Sequence, residues 1–315
     1  MSVQITTAMV NQYSSNVFHL SQQKGSRLKG LVRNETQKAE AAFYDRIGSV
    51  SAQLKTGRHS DTTYQDTPHS RRRVTLEDYF YADLVDKEDK LRIIQNPESE
   101  YAIAASNALG RAMDDVIITA ALGSAYSGKT GSTAVVLPNT QKLCAFDGAV
   151  AAPNVGVGLN VATLRAAKRK FNENETGDSD LHFVLDAEQM DSLLGETEVT
   201  SSDYAAVKSL VQGDVDSFMG FKFHRSERLP LTTAATTFNE LNGSVGAGTG
   251  TAAVGSTRCF AFQKEGLILA ISAGMKTEIE RLPQKHYATQ VYASMGLGAT
   301  RIEEEKVVEV ICLKV

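Results

Sequence analysis

The rhythm of apolar and polar positions changes repeatedly along the chain. Residues 1 to about 40 are rich in Gln, Asn, Ser and Thr, with basic side chains at Lys24, Arg27, Lys29 and Arg33. Such a segment is too polar to build its own core, and it is expected to be an arm that orders on a partner surface. From about 43 to 90, the β-prone pieces FYDRI, VSAQL and RRVTLEDYFY flank the polar stretch GRHSDTTYQDTPHS, the pattern of a long hairpin reaching out from the body. In NPESEYAIAASNALGRAMDDVIITAALG, Tyr101, Ala104, Ala105, Ala108, Ala112, Met113, Val116, Ile117 and Ala120 recur at helical spacing. This predicts one helix over 97–122, with Asn96 as N-cap, Pro97 in the first turn, Glu98 and Glu100 at the positive end, and Gly123 as the stop. At 1.5 Å per residue it would be roughly 39 Å long, a spine for a whole domain.

Helices and strands mix from 146 to about 270. NVATLRAAKRKF has Val161, Leu164, Ala167 and Phe171 on one face, Asn160 as its cap, and Arg165, Lys168, Arg169 and Lys170 on the other face, read as a solvated surface rather than a phosphate grip. LHFVLD has the form of a strand ending in a magnesium-holding Asp, but Asp186 is better read as the cap of the helix AEQMDSLL. Residues 231–257, rich in Thr, Gly and Ala, are expected to form an exposed loop. GLILAIS, MKTEIERL, HYATQVYAS and KVVEVICLKV then return to strand character, and the last is apolar on both faces, as a buried strand is.

Composition narrows the function. Apolar residues at 42% and charged residues at 22% are ordinary for a globular protein, and a formal net charge of −4 gives no bulk attraction to nucleic acid. Cys144, Cys259 and Cys312 are far apart in sequence and suggest neither a disulfide framework nor a zinc site. No apolar run reaches membrane-spanning length, and no basic leader opens the chain, so a soluble protein that stays in the cytoplasm where it is made is expected. GSAYSGKTG places Gly123, Gly128, Lys129 and Thr130 in phosphate-loop register. Such a loop needs a strand before it and a helix after it; here a helix ends at Gly123 and β-branched residues follow, so the match is read as false.

No catalytic set stands out: His19, His59, His69, His182, His224 and His286 are scattered, and pairings such as His59 with Asp61 or His69 with Asp66 lack metal-ligand spacing. Neither a metal nor a cofactor is expected. Asp114 and Asp115 point about a hundred degrees apart on a helix, which suits surface ion pairs better than acid/base work. The densest charge is HSRRR, followed by Glu77 and Asp78. On extended backbone Arg71, Arg72 and Arg73 alternate faces, so they could engage acidic groups of two different neighbours or a polyanion, or simply blunt an exposed strand edge.

Three stretches carry a family resemblance. HSRRRVTLEDYFYADLVDKEDKLRIIQNPESEY looks like the return limb of an extended loop leading into the spine helix, and ALGRAMDDVIITAALG like that helix's second half. GDVDSFMGFKFHRSERLP is similar to the G-x-l-x-G-x-x-v-x-x-S-x-x-L-P signature of an α/β domain. In this order, with GATRIEEEKVVEVICL at the end, they resemble the major capsid protein of tailed bacteriophages, whose fold is shared with encapsulin shells and herpesvirus capsid floors. The resemblance implies an α+β fold with an N-terminal arm at 1–42, an extended β-hairpin loop at 43–95, a peripheral domain at 96–145 with 275–315 holding the spine helix 97–122, and an axial α/β domain at 146–274. It implies assembly rather than catalysis: pentamers and hexamers of an icosahedral head around double-stranded DNA that is contacted weakly, assembled in the bacterial host cytoplasm. A separate scaffolding protein, a portal and decoration or cement proteins would be the other partners, with no membrane. Arg58, Arg71, Arg72, Arg73, Glu77 and Asp78 would be subunit-contact residues. An encapsulin-type compartment shell is the alternative, and a nucleotide hydrolase the rival from outside the family.

Overall fold

The computed structural model describes residues 22–55, 57–58, 61–62, 64–85, 98–145, 157–177, 179–195, 217–233, 236–238, 250–252, 254–272 and 274–314. After a short strand β1 (Arg33–Thr36), β2 (Ala41–Ile47) and β3 (His69–Thr75) form a hairpin joined through residues 48–68, and β4 (Glu77–Val85) follows. The long helix α1 (Glu98–Leu122) leads into β5 (Ala125–Ser127), β6 (Thr133–Val135) and β7 (Lys142–Cys144). Then come α2 (Val161–Glu173), β8 (Leu181–Leu185), α3 (Ala187–Leu194), β9 (Ser217–Phe218), β10 (Phe221–Arg225), β11 (Thr236–Phe238) and β12 (Gly250–Ala252). The chain closes with β13 (Thr257–Gln263), β14 (Leu267–Ile271), β15 (Lys276–Leu282), β16 (Ala288–Arg301) and β17 (Val307–Cys312).

The sheets divide the labour. A six-stranded sheet in the order β7-β17-β13-β8-β10-β9 carries the main core, and both β8 and β17 are buried along their whole length. A second sheet is organised by β16: Leu297 pairs with Ile271 on one side and Glu77 on the other, and Ala293 with Thr277 and Tyr81. β14 and β15 therefore lie end to end along one edge of β16, with β4 along the other. Its odd-numbered residues Ala293, Met295 and Leu297 pack on Ala105 and Leu109 of α1, as strand alternation requires. The third sheet, β2-β3-β5-β6, holds the root of the hairpin.

Local chemistry explains the helices. The Asn160 side chain accepts the Thr163 amide at 2.9 Å to start α2, and Asp186 accepts the Gln189 amide at 2.9 Å to start α3, so Asp186 is the cap that the strand-then-helix pattern predicts. α1 ends where expected, at Leu122; Asn96 and Pro97 lie outside the described residues. Its buried surface is broader than the predicted stripe, taking in Asn107, Gly110, Asp114, Ile118 and Ala121, because the segment from Gln22 covers a second side.

That covering segment corrects one expectation. Over residues 22–36 the polar N-terminal segment finds its partner surface in its own chain: Leu28 and Val32 are fully buried in the main core, and β1 pairs in parallel with β14. Gly110 is required for the contact, since a Cβ there would sit 2.5 Å from the Gly25 carbonyl carbon. Four smaller corrections accompany it. VSAQL is not a strand, RRVTLEDYFY divides at Leu76 between two sheets, and the Thr/Gly/Ala segment carries the paired β11 and β12 among its described residues. On the basic helix Lys170 is buried, with Glu173 beside it at 3.6 Å, instead of solvated.

Candidate assembly interface

The root of the β2–β3 hairpin is built on a buried knot of charge. Strand alternation sends Arg72 and Val74 inward and leaves Arg71 and Arg73 on the opposite face. Arg72 ion-pairs with Glu304, which Arg46 approaches at 3.6 Å and Arg301 at 3.8 Å, and the Arg72 Nε donates to the Ile302 carbonyl at 3.3 Å. Arg301, with no exposed surface, turns its other nitrogens to the end of α1: Nη1 donates to the carbonyls of Ala121 at 2.8 Å and Gly123 at 2.9 Å, and Nη2 to Val135 at 3.2 Å. Arg258 reaches the Leu122 carbonyl at 3.2 Å. Two cations thus satisfy carbonyls that the last helical turn leaves unpaired and meet the negative end of its dipole. Burial lowers the pKa of Arg72 and Arg301, and Glu304 pulls both back up.

The phosphate-loop lookalike belongs to this knot. Gly128 and Gly131 lie in the turn between β5 and β6, at φ +96° and φ +67°, a backbone that favours glycine. A Cβ on Gly131 would lie 2.4 Å from Arg73 Cδ, so the glycine lets the hairpin root close against the turn. Lys129 and Thr130 are exposed on that turn, and a strand follows instead of the helix whose N-terminus would cradle phosphate.

The remaining charged residues are placed individually. Arg71 pairs with Asp45 at 3.0 Å and lies over the Phe43 ring at 5.5 Å, both partly exposed contacts within the hairpin. Arg58 is exposed in the 48–68 connection, and Glu77 and Asp78 are exposed at the start of β4. Around them apolar surface is left bare: Ile47 is 71% exposed, Val50 63%, Leu54 89% and Tyr64 93%, and on β4 Phe80 is 69% exposed, stacked on Tyr292. Sequence reasoning found Arg71 to Arg73 by their density but missed Arg46, Arg301 and Glu304, which reach the same knot from distant positions with no local signature.

The two adjacent aspartates part company. Asp115 does form the expected ion pair, bidentate with Arg228. Asp114 is fully buried and instead gathers the arm: it accepts from Ser26 Oγ at 2.5 Å, from the amides of Arg27 and Leu28 at 3.1 Å each, and from the Gln23 side chain. The cysteines, distant in sequence, occupy the adjacent strands β7, β17 and β13 as buried free thiols; desolvation pushes Cys144 up to about 11, which leaves it a poor nucleophile. Among the described residues no group of three or more potential metal ligands comes together.

Exposed apolar side chains thus line a hairpin whose root is braced by buried charge. The sequence profile of the phage capsid protein family matches residues 5–314, nearly the whole chain. The chain belongs to the phage capsid protein family. Solved structures share the fold of this capsid protein at low identity. The capsid of cyanophage P-SCSP1u superposes with a TM-score of 0.71 at 16% identity, covering 99% of this chain and 95% of that one. The capsid of Ralstonia phage GP4 gives 0.70 at 8% identity, covering 98% and 96%, and that of cyanophage Pam1 gives 0.67 at 14% identity, covering 98% and 97%. No curated protein matches the chain. The capsid protein is accordingly a structural component of the virion, the major capsid protein of a phage head. Among the described residues, no helix is long and apolar enough to cross a membrane.

Proposed function

We propose that this capsid protein closes into the pentamers and hexamers of an icosahedral head, with the β2–β3 hairpin and the start of the chain laid on adjoining copies. The observation that carries the reading is the apolar series Ile47, Val50, Leu54 and Tyr64, left exposed among the described residues of the subunit. Closed symmetric rings repeat such a contact many times, so individually weak interfaces sum to a stable shell. In this reading residues 1–42 are the arm, 43–95 the extended loop, 96–145 with 275–315 the peripheral domain and 146–274 the axial domain. Arg58, Arg71, Arg73, Glu77 and Asp78 supply contact charge, while Arg72 serves the interface indirectly by fixing the hairpin root to Glu304. The net charge of −4 suits a wall that must let DNA slide past it during packaging, with a scaffolding protein, a portal and decoration proteins as partners.

The test is negative-stain microscopy of the purified protein, alone and with the products of neighbouring genes. Replacing residues 49–67 by a short turn, or Arg71→Glu, is expected to abolish regular shells while leaving the circular dichroism spectrum of the subunit intact. Removing residues 1–21 tests the arm; a deletion reaching residue 40 would also remove Leu28 and Val32 from the core. Normal particles from both hairpin variants would overturn the proposal. Particles filled with an enzyme instead of DNA would convert it to a compartment shell.

A further inference from the structure

His182 and His224, 42 positions apart in sequence, meet on the neighbouring parallel strands β8 and β10. A row of rings crosses three strands: Phe262 of β13 and His182 have centroids 5.5 Å apart, and His182 and His224 5.1 Å apart. His182 Nδ1 and His224 Nε2 are separated by 3.1 Å, hydrogen-bond distance. Two neutral imidazoles satisfy this contact, because one N–H donates and the bare nitrogen of the other ring accepts. When both rings are protonated, two N–H groups face each other and the bond is lost.

The surroundings resist added charge. Lys222 on β10 and Lys264 just after β13 are both cations, and the acid that faces the pair, Asp180, is joined to Lys222 at 3.2 Å. The arm touches the end of β10, where Arg27 Nη1 donates to the Arg225 carbonyl at 2.9 Å. Desolvation, then His224, then Lys222 hold the His182 pKa down at about 4; desolvation, then Lys222, lower that of His224.

We propose that the His182–His224 pair is an acid-released latch, which fastens β10, and β9 beyond it, to the six-stranded sheet at neutral pH and frees them on acidification. The latch follows from the chain's own geometry and does not depend on the assembly reading. Release would reach beyond the sheet, because residues just after β10 tie it to two helices: Glu227 accepts the Ala187 amide of α3 at 2.8 Å, and Arg228 holds Asp115 of α1. The sign is set by linkage. A released histidine titrates near about 6.5 and the latched pair lower, so the open form binds more protons. The latch is intact above about pH 6.5 and weakens as the pH falls toward about 4.

Hydrogen exchange on the full-length protein, corrected for intrinsic rates and compared at about pH 7 and about pH 5, tests this directly. Protection of residues 217–225 is expected to fall about tenfold more than that of β13 and β17. The doubly substituted His182→Gln/His224→Gln protein keeps amide donors and acceptors but cannot titrate there, and should lose this local response. Its thermal midpoint should also fall by about 2 °C less than the wild type's over the same pH change. Equal acid sensitivity in the two proteins would overturn the latch. So would unchanged protection of 217–225 in the wild type at about pH 5, a measurement that decides the matter even if the double variant does not fold.

Discussion

Asp114 and Asp115 are neighbours in sequence and opposites in consequence. Asp114 has no exposed surface and collects two backbone amides, a hydroxyl and an amide side chain from residues 23–28. Removing it leaves those donors facing a void, and each buried donor left unmade costs about 1–3 kcal/mol. Asp114→Ala is therefore expected to lower stability by about 3 kcal/mol and to make residues 22–32 sensitive to protease, read by thermal melting and limited proteolysis. Asp115→Ala breaks a half-exposed pair with Arg228 and should cost no more than about 1 kcal/mol. Comparable losses from the two substitutions would show that burial does not control the difference. Neither role was separable in the sequence, where the residues read alike as surface ion-pair formers.

Among elements, α1 matters most, and its C-terminal end depends on a residue far along the chain. Arg301→Met keeps the volume of a long side chain but removes the donors that reach Ala121, Gly123 and Val135. It also takes a counter-charge from Glu304. The expected loss is about 3 kcal/mol, with fraying confined to the last turn of α1 and the β5–β6 turn, measurable by hydrogen exchange. Elements were legible in sequence where their cause is local. The three- and four-residue spacing and terminal Gly123 marked α1; Asn160 and Asp186 marked the starts of α2 and α3; unbroken apolar character marked β17 as buried. What was not legible depends on partners distant along the chain. Leu76 divides an apparently continuous strand because β4 pairs with β16 while β3 pairs with β2 and β5. The Arg72–Glu304–Arg301 cluster joins positions more than 200 apart, and its members look like ordinary surface charges until the strands are paired.

At the scale of the whole molecule, the buried core and the barest apolar surface reside in different places. The core clusters join the sheets, α1 and residues 28–32, whereas the most exposed large apolar side chains among the described residues, Tyr64, Leu54, Ile47 and Phe80, lie on the hairpin and β4. Substituting Leu54→Asp together with Tyr64→Asp should leave the thermal midpoint of the free subunit within about 2 °C of wild type, because both side chains are already in water. The same variant should shift sedimentation from shells to small species if neighbours cover these residues. A large drop in subunit stability would instead place them in an intramolecular contact. The braced hairpin root carries a mechanical consequence. A ribbon anchored at its root by arginines acts as a lever, so a force applied at its far end is delivered as torque to Arg72 and Glu304, and from there through Arg301 into the closing turn of the longest helix.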